Sequence, residues 1–156
     1  MPELAMSRTI AAPVDATFAA FSDFANAPQR VSAIKRVELV TPGAVRVGTR
    51  FRETRVMFGK EATEVFEVVG FEPGRSYALR CQACGAEWRY DFAFRPEGRG
   101  TRVDVKASVR GVSFFAKLMA PLAGLMMKSI SKAFEKDLDD LERSLTGARA
   151  GAAGAT

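Results

Sequence analysis

The chain has 156 residues, a formal net charge of +5, two cysteines and no histidine. This length favours a single domain around one sizeable core. The absence of histidine excludes Ser-His-Asp and Cys-His catalysis and histidine-bound metals, so any catalysis must use Glu, Asp, Arg, Lys, Tyr or water.

The N-terminal part of the sequence predicts one strand followed by two short helices. Residues 4–11 have the composition of a strand, and Pro13 stands where a proline commonly opens a helix. Phe18 and Phe21 recur at helical spacing and predict a buried helix face. The stretch "SDFANAPQRV" predicts a break and a second short helix that ends near Arg30.

The central part predicts an antiparallel meander, because alternating segments replace the helical period and Gly or Pro turn signals separate them. The predicted turns are Pro42-Gly43, Gly59-Lys60, Pro73-Gly74, Cys84-Gly85 and Gly98–Gly100. A long helix over roughly 114–145 follows, and the small residues of 146–156 predict a disordered tail. This order of elements is that of an α+β domain.

The turn positions also predict which strand residues lie opposite each other. The predicted pairs are 57 with 62, 55 with 64 and 53 with 66, then 81 with 88, 79 with 90 and 77 with 92, and finally 92 with 105. Residues directly opposite each other share a face of the sheet. One face then collects mostly apolar side chains, whereas a bulge at Cys84 would shift the second register by one residue.

Cys81 and Cys84 have the C-x-x-C spacing of metal and redox sites. One pair supplies at most half of a structural zinc site, and a thioredoxin-like pair is expected at a helix N-terminus. We therefore interpret Cys81 as a strand residue opposite Trp88 and Cys84 as a turn residue, with metal or redox use as the alternative. We predict no metal and no cofactor.

The basic residues raise the question of a nucleic-acid partner. Five of them fall on alternate strand positions that face solvent: Arg50, Arg52, Arg102, Lys106 and Arg110. We interpret these positions as a solvated sheet face and expect no nucleic acid, with an interaction module as the weaker alternative. We see no signal peptide and expect a cytoplasmic protein.

The long helix carries one apolar stripe at 100° per residue. Its members are Met119, Ala123, Met126, Met127, Ile130, Phe134, Leu138 and Leu141. Methionines suit a wall that adapts to different ligands, whereas the stripe after residue 133 is interpreted as core. Further apolar residues between Phe114 and Leu125 leave four alternatives open: a pocket mouth, a transient membrane-surface contact, a subunit contact or ordinary burial.

Several short motifs, in their order and spacing, resemble the SRPBCC superfamily (START-like and Bet v 1-like), in its polyketide cyclase/dehydrase and lipid-transport branch. They are I-x-A-P before the first helix, D-F-x-N-x-P after it, "VGTRF", "FEPGRSYALR" and "GTRV". The resemblance covers about residues 4–145. It implies a helix-grip fold, in which a curved antiparallel sheet of about seven strands wraps around a long C-terminal helix, and a single ligand-binding domain over 1–145.

The polar residues of the apolar face are Glu53, Arg55 and Glu64, with Arg55 predicted to lie opposite Glu64. They form either a partly exposed ion pair or an anchor for the polar group of a ligand. Tyr77 and Tyr90 could add hydroxyl groups to that anchor. The predicted ligand-binding residues are Phe51, Glu53, Arg55, Glu64, Phe66, Leu79, Trp88, Tyr90, Phe92, Met119, Met126 and Ile130.

Two functions remain open from the sequence. The first is an intracellular binding or carrier protein for a hydrophobic small molecule such as a lipid, quinone or polyketide, which requires no catalytic residue. The second is a cyclase or dehydratase acting on a polyketide or aromatic substrate, with Arg55 stabilising an enolate and Glu53 or Glu64 transferring protons.

Overall fold

The computed structural model describes residues 3–57, 59–83, 85–111, 118 and 120–154. The helical elements are α1 (Val14–Ser22), a 3₁₀ helix (Phe24–Gln29), a short 3₁₀ turn (Ala120–Leu122) and α2 (Ala123–Gly154). The strands are β1 (Glu3–Ile10), β2 (Ile34–Leu39), β3 (Arg50–Met57), β4 (Lys60–Glu72), β5 (Ser76–Ala83), β6 (Ala86–Glu97) and β7 (Gly100–Gly111).

The strands of the described residues form one antiparallel sheet in the order β1-β7-β6-β5-β4-β3-β2. Register shifts between Ile34 and Arg36 and between Val68 and Gly70 mark bulges, which bend a strand and increase its twist. The curved sheet, the two short helical elements before β2 and the long C-terminal helix confirm the predicted α+β helix-grip fold.

The two short helical elements close one end of the sheet with aromatic rings. Helix α1 begins at Val14, and Pro13 is its N-cap. The helix therefore starts one residue later than the predicted start at Pro13. Phe18 lies edge-on to Phe94 at 5.2 Å between ring centroids, and Phe24 stacks on Phe51 at 4.5 Å. These contacts attach the helical elements to the concave face of the sheet.

The predicted registers of the last three strands are confirmed. Cys81 lies opposite Trp88 and Leu79 opposite Tyr90, so the β5–β6 connection has the predicted two-residue length without a bulge. Phe92 lies opposite Val105, as the 97–100 loop predicts. Cys84 itself lies outside the described residues.

The predicted register between β3 and β4 is wrong by two residues. Met57 pairs with Lys60 and Glu53 pairs with Glu64, so Arg55 lies opposite Ala62 rather than Glu64. Gly59, with a φ of 75°, is the second of the two turn residues, not the first as predicted. A shift of two residues keeps each side chain on its face, so the predicted apolar face survives the error.

The core lies between the concave face, the two N-terminal helical elements and α2. Its least exposed large side chains are Ile10, Phe51, Val68 and Val103. Polar contacts fix α2 against this core, because Asp140 accepts hydrogen bonds from the backbone nitrogen and hydroxyl of Ser32 at 3.0 and 2.9 Å. The position of α2 on the sheet is therefore set by specific hydrogen bonds as well as by apolar packing.

Helix α2 continues to Gly154, beyond the predicted end at residue 145. Its last turns are rich in alanine, which has the highest helix propensity. The division into one domain over 1–145 and a disordered tail over 146–156 stays a prediction. The predicted helix start near residue 114 lies outside the described residues.

The apolar surface at the start of the C-terminal helix is partly described. Leu118, Leu122 and Leu125 are exposed, whereas Phe114 lies outside the described residues. Ordinary burial therefore does not account for these three leucines. A contact with a membrane surface, a subunit or a ligand at the pocket mouth stays a prediction for them.

The five basic residues predicted to face solvent on the sheet are each paired with a carboxylate. The pairs are Arg50–Glu67, Arg52–Glu38, Arg102–Asp104, Lys106–Glu3 and Arg110–Glu87, with nitrogen–oxygen distances of 3.0–3.5 Å. Exposed pairs of this kind contribute about 0–1 kcal/mol each to stability. Both signs of charge therefore alternate on this face, although the absence of a nucleic-acid partner stays a prediction.

Gly100 provides a test of the fold at the start of β7. A Cβ atom there would lie 2.4 Å from the backbone oxygen of Ile10 in β1, so the strands would have to separate. We expect Gly100→Ala to lower the free energy of unfolding by about 1–3 kcal/mol, measured by urea denaturation. Gly124→Ala is the control, because Gly124 in α2 has open space around it and alanine favours the helix. Equal stability of the two variants would contradict the close packing of β1 on β7.

Candidate functional site

A cavity of about 360 Å³ lies between the concave face of the sheet, the N-terminal helical elements and α2. Ten of the predicted ligand-binding residues line it, namely Phe51, Glu53, Arg55, Glu64, Phe66, Leu79, Trp88, Tyr90, Phe92 and Ile130. Met119 lies outside the described residues. Met126 belongs to α2, but its side chain also lies outside the described part of the structure. That these residues bind a ligand stays a prediction.

The structure adds lining residues beyond the predicted ligand-binding set, and one of them, Tyr77, is already predicted from the sequence to contribute a hydroxyl group. They are Ala20, Phe21, Phe24, Ala27, Val31 and Ile34 from the N-terminal part, Ala133, Phe134, Asp137, Leu138 and Leu141 from α2, and Met57, Lys60, Ala62, Tyr77 and Ala83 from the sheet. Phe134, Leu138 and Leu141, which the sequence predicts to be core, do pack in the core, and they also line the cavity. Asp137 could have been found, since it lies two helical turns after Ile130 on the same stripe.

Aromatic rings make up much of the cavity wall. Phe24, Phe51 and Phe66 stack in sequence, with centroid distances of 4.5 and 5.5 Å. Trp88 and Tyr90 lie nearly parallel, 8° apart in plane. Such rings offer large apolar surfaces with little side-chain freedom, so the wall is suited to a flat or bulky apolar molecule.

One charged cluster interrupts this wall. The Nε of Arg55 donates to Oε1 of Glu53 at 2.9 Å, and its Nη2 donates to Oδ2 of Asp137 at 2.9 Å. The side chains of Arg55, Glu53 and Asp137 are 20%, 13% and 12% exposed. The predicted partner Glu64 is thus replaced by Asp137, which reaches Arg55 from α2 across the cavity.

Asp137 is only partly satisfied. Its Oδ1 is buried and has no hydrogen-bond partner among the described residues. Burial raises the pKa of Asp137, and the attraction of Arg55 offsets this only in part. Burial would lower the pKa of Arg55, but Asp137 and Glu53 outweigh it and raise the pKa above its usual range. The guanidinium is therefore always charged, whereas burial in apolar surroundings disfavours the ionised form of Asp137.

The thiol of Cys81 and the hydroxyl groups of Tyr77 and Tyr90 stay protonated at neutral pH. Burial, and then the neighbouring Glu64, raises the pKa of Cys81 to about 12, and its Sγ donates to Oε2 of Glu64 at 3.8 Å. Burial also raises the pKa of Tyr77 and Tyr90. Since the thiolate is the reactive form of cysteine, Cys81 is not poised as a nucleophile at neutral pH.

Two kinds of feature are absent from the described part of the chain. No group of three or more Cys, Asp or Glu side chains there is arranged to hold a metal ion. No helix among the described residues has both the length and the apolar character to cross a membrane.

The fold and the cavity define a helix-grip protein with a partly open pocket whose wall is rich in aromatic rings. The sequence matches the family described as "Polyketide cyclase / dehydrase and lipid transport" over residues 1–146, and the chain belongs to this family. This confirms the resemblance to the START-like and Bet v 1-like superfamily. No curated protein sequence matches the chain significantly.

Solved structures share the fold at low sequence identity. TTHA0849 from Thermus thermophilus has a TM-score of 0.77 and 21% identity, over 94% of this chain and 99% of that one. The ZhuI aromatase/cyclase from Streptomyces sp. R1128 has a TM-score of 0.76 and 13% identity, over 93% of each chain. A START superfamily protein from Mycobacterium smegmatis has a TM-score of 0.65 and 18% identity, over 89% of this chain and 98% of that one. At these identities the similarity shows the fold alone.

The charged cluster predicts a pH-dependent stability for Arg55→Met. Removing Arg55 leaves Glu53 and Asp137 as uncompensated, mostly buried carboxylates, which costs about 3–5 kcal/mol. Without the guanidinium, the pKa of Asp137, which burial already raises, rises further in the folded state, so the folded protein binds more protons than the unfolded chain. Stability then falls as the pH rises above the carboxylate pKa of the unfolded chain, and the variant is less destabilised near pH 5 than near pH 8.

Urea denaturation at both pH values measures this difference. Arg52→Met is the matched control, because its pair with Glu38 is exposed on the outer face and contributes less than about 1 kcal/mol. If Arg55→Met and Arg52→Met cost the same, or if the cost of the Arg55 change does not grow with pH, the cluster is not the buried pair described above.

Proposed function

We propose that this protein binds and carries a hydrophobic small molecule, such as a lipid, quinone or polyketide, in the cytoplasm. The observation that supports this most is the cavity itself, whose wall is mainly aromatic and aliphatic and includes an inner cluster of charges. Small-molecule sites typically combine an apolar wall of this kind with a few placed polar groups and have volumes of about 300–1,000 Å³. The cavity lies within that range.

Apolar contact would supply most of the affinity. Burial contributes roughly 25 cal/mol for each Å² of apolar surface removed from water, and the ligand would be enclosed on several sides. The rings of Phe51, Phe66 and Tyr90 already pack against neighbours, so binding orders few side chains and loses little conformational entropy. A carrier needs no more than this. The family description, which includes lipid transport, is consistent with it.

A second candidate is an enzyme of the cyclase or dehydratase type. The observation that favours it is Asp137, a carboxyl group with a raised pKa beside a fixed guanidinium in a cleft. Such a carboxyl group can hold a proton and give it to a departing hydroxyl group, while Arg55 stabilises developing negative charge. Asp137 would then take the proton-transfer role that sequence reasoning assigned to Glu53 or Glu64.

Ligand binding can be tested with a neutral fluorescent dye, N-phenyl-1-naphthylamine, and with Trp88, the sole tryptophan, as a second reporter. Ala133→Phe fills the cavity from α2, and Val65→Phe introduces the same side chain on the exposed outer face as a control. We expect Ala133→Phe to weaken dye binding at least about tenfold, while Val65→Phe binds like the wild type. Equal binding by both variants, with unchanged melting temperatures, would contradict the cavity as the site.

Native mass spectrometry of protein from its own host separates carrier from enzyme. A carrier releases the co-purified molecule unchanged after incubation. An enzyme converts it with loss of water, and the conversion stops in Asp137→Asn while binding persists.

A further inference from the structure

One part of the cavity wall carries an excess of negative charge. It consists of Glu53, Glu64, Asp137 and the guanidinium of Arg55, and we call it the inner wall. Lys60 also borders the cavity, but it is an exposed residue at the β3–β4 turn, where water screens its charge. With the carboxylates ionised, the inner cluster has a formal charge of −2, from three carboxylates and one guanidinium.

Among the described residues, Arg55 is the one cation of the inner wall, and two carboxylates already hold it. Its Nε and Nη2 donate to Glu53 and Asp137. A carboxylate on a ligand would therefore meet a guanidinium whose charge is already compensated. It would also approach the uncompensated charge of Glu64 in a low-dielectric cavity, where like charges repel strongly. The wall consequently disfavours an anionic head group at its inner end.

Asp137 presents the complementary feature, a free acceptor. The residue is 8% exposed and lines the cavity, and its Oδ1 lacks a hydrogen-bond partner among the described residues. A buried acceptor without a partner costs free energy, and a hydroxyl donor on a bound molecule would remove that cost. Ethers and hydrocarbons cannot supply this hydrogen.

We propose that the cavity selects uncharged apolar ligands with a hydroxyl group, which donates to Oδ1 of Asp137, and discriminates against carboxylates such as fatty acids. This inference rests on the proposed ligand binding and specifies the chemical class of the ligand. Arg55 then acts as a positioning residue, because it holds Asp137 by Oδ2 and leaves Oδ1 to the ligand.

Three naphthalenes of similar size test the selection by displacement of N-phenyl-1-naphthylamine at pH 7. They are 2-naphthol, which donates a hydrogen bond, 2-methoxynaphthalene, which cannot, and 2-naphthoate, which is anionic. We expect 2-naphthol to bind at least about tenfold more tightly than the ether, and 2-naphthoate to bind most weakly. A naphthoate that binds as tightly as the naphthol, or an ether that matches it, would overturn the proposal.

Asp137→Asn tests the acceptor itself. Arg55 Nη2 requires an oxygen partner, so the amide oxygen of the variant faces Arg55 and its NH₂ group takes the place of Oδ1. An acceptor thereby becomes a donor, and the preference for 2-naphthol over the ether should disappear. Asp140→Asn is the matched control, because Asp140 lies one turn later on α2 and bonds Ser32 instead of lining the cavity. It should keep the wild-type ranking.

Glu64→Gln separates charge from hydrogen bonding. It removes one negative charge and leaves Asp137 in place, so 2-naphthoate should gain affinity while the preference for the naphthol over the ether persists. This variant and the wild-type affinities for the three naphthalenes test the selectivity even if Asp137→Asn does not fold.

The outcomes separate the selectivity from the proposed function. If the dye binds but 2-naphthol is not the preferred naphthalene, the proposed selectivity alone is contradicted. A dye that does not bind, together with no response of Trp88 to any of the three compounds, contradicts the proposed function as well.

Discussion

The contact between Arg55 and Asp137 joins the two layers of this protein across the space between them. A helix-grip fold with a cavity gives up part of the direct packing of its long helix on the sheet, so the helix needs other attachments. Asp140 supplies one on the side of Ser32, and Asp137 supplies another through Arg55 of β3. The two aspartates lie three residues apart and hold α2 in one rotation about its axis. That rotation turns Phe134 and Leu138 towards the cavity.

The same contact places charge where an apolar core would be more stable. Buried ion pairs often contribute little net stability compared with well-packed apolar residues, because both charges must be desolvated. Glu53 and Asp137 share one guanidinium, and a carboxylate oxygen of Asp137 lacks a partner within the described structure. Such a partly satisfied network weakens a core. A ligand that donates a hydrogen bond to Oδ1 of Asp137 would satisfy the network. The cost of the unsatisfied carboxylate would then be recovered when the small molecule binds.

Turn chemistry and alternation were sufficient to predict most of the sheet. Cys81 opposite Trp88 and Phe92 opposite Val105 follow from short loops whose length fixes the register. The error between β3 and β4 arose because a glycine can occupy either position of a two-residue hairpin turn, so the sequence does not fix the position of Gly59. The pairing of Met57 with Lys60 makes it the second position in the structure. Alternation could not detect the error, since a shift of two residues leaves every side chain on the same face.

The partner of Arg55 could not be predicted in the same way. The identity of this partner depends on where α2 lies along the strands. The apolar stripe of a helix shows which face is buried, but it does not show which strand residues that face meets. Once Asp137 replaces Glu64 as the partner, the chemistry of the cavity changes. The charge of a guanidinium held by two carboxylates is already compensated, so an anionic ligand there would either lie beside both carboxylates or displace one of them. Displacing Asp137 would free a second buried carboxylate oxygen and remove one attachment of α2 to β3. A neutral hydroxyl donor would require neither, because it would bond Oδ1 of Asp137 and leave the contact with Arg55 in place.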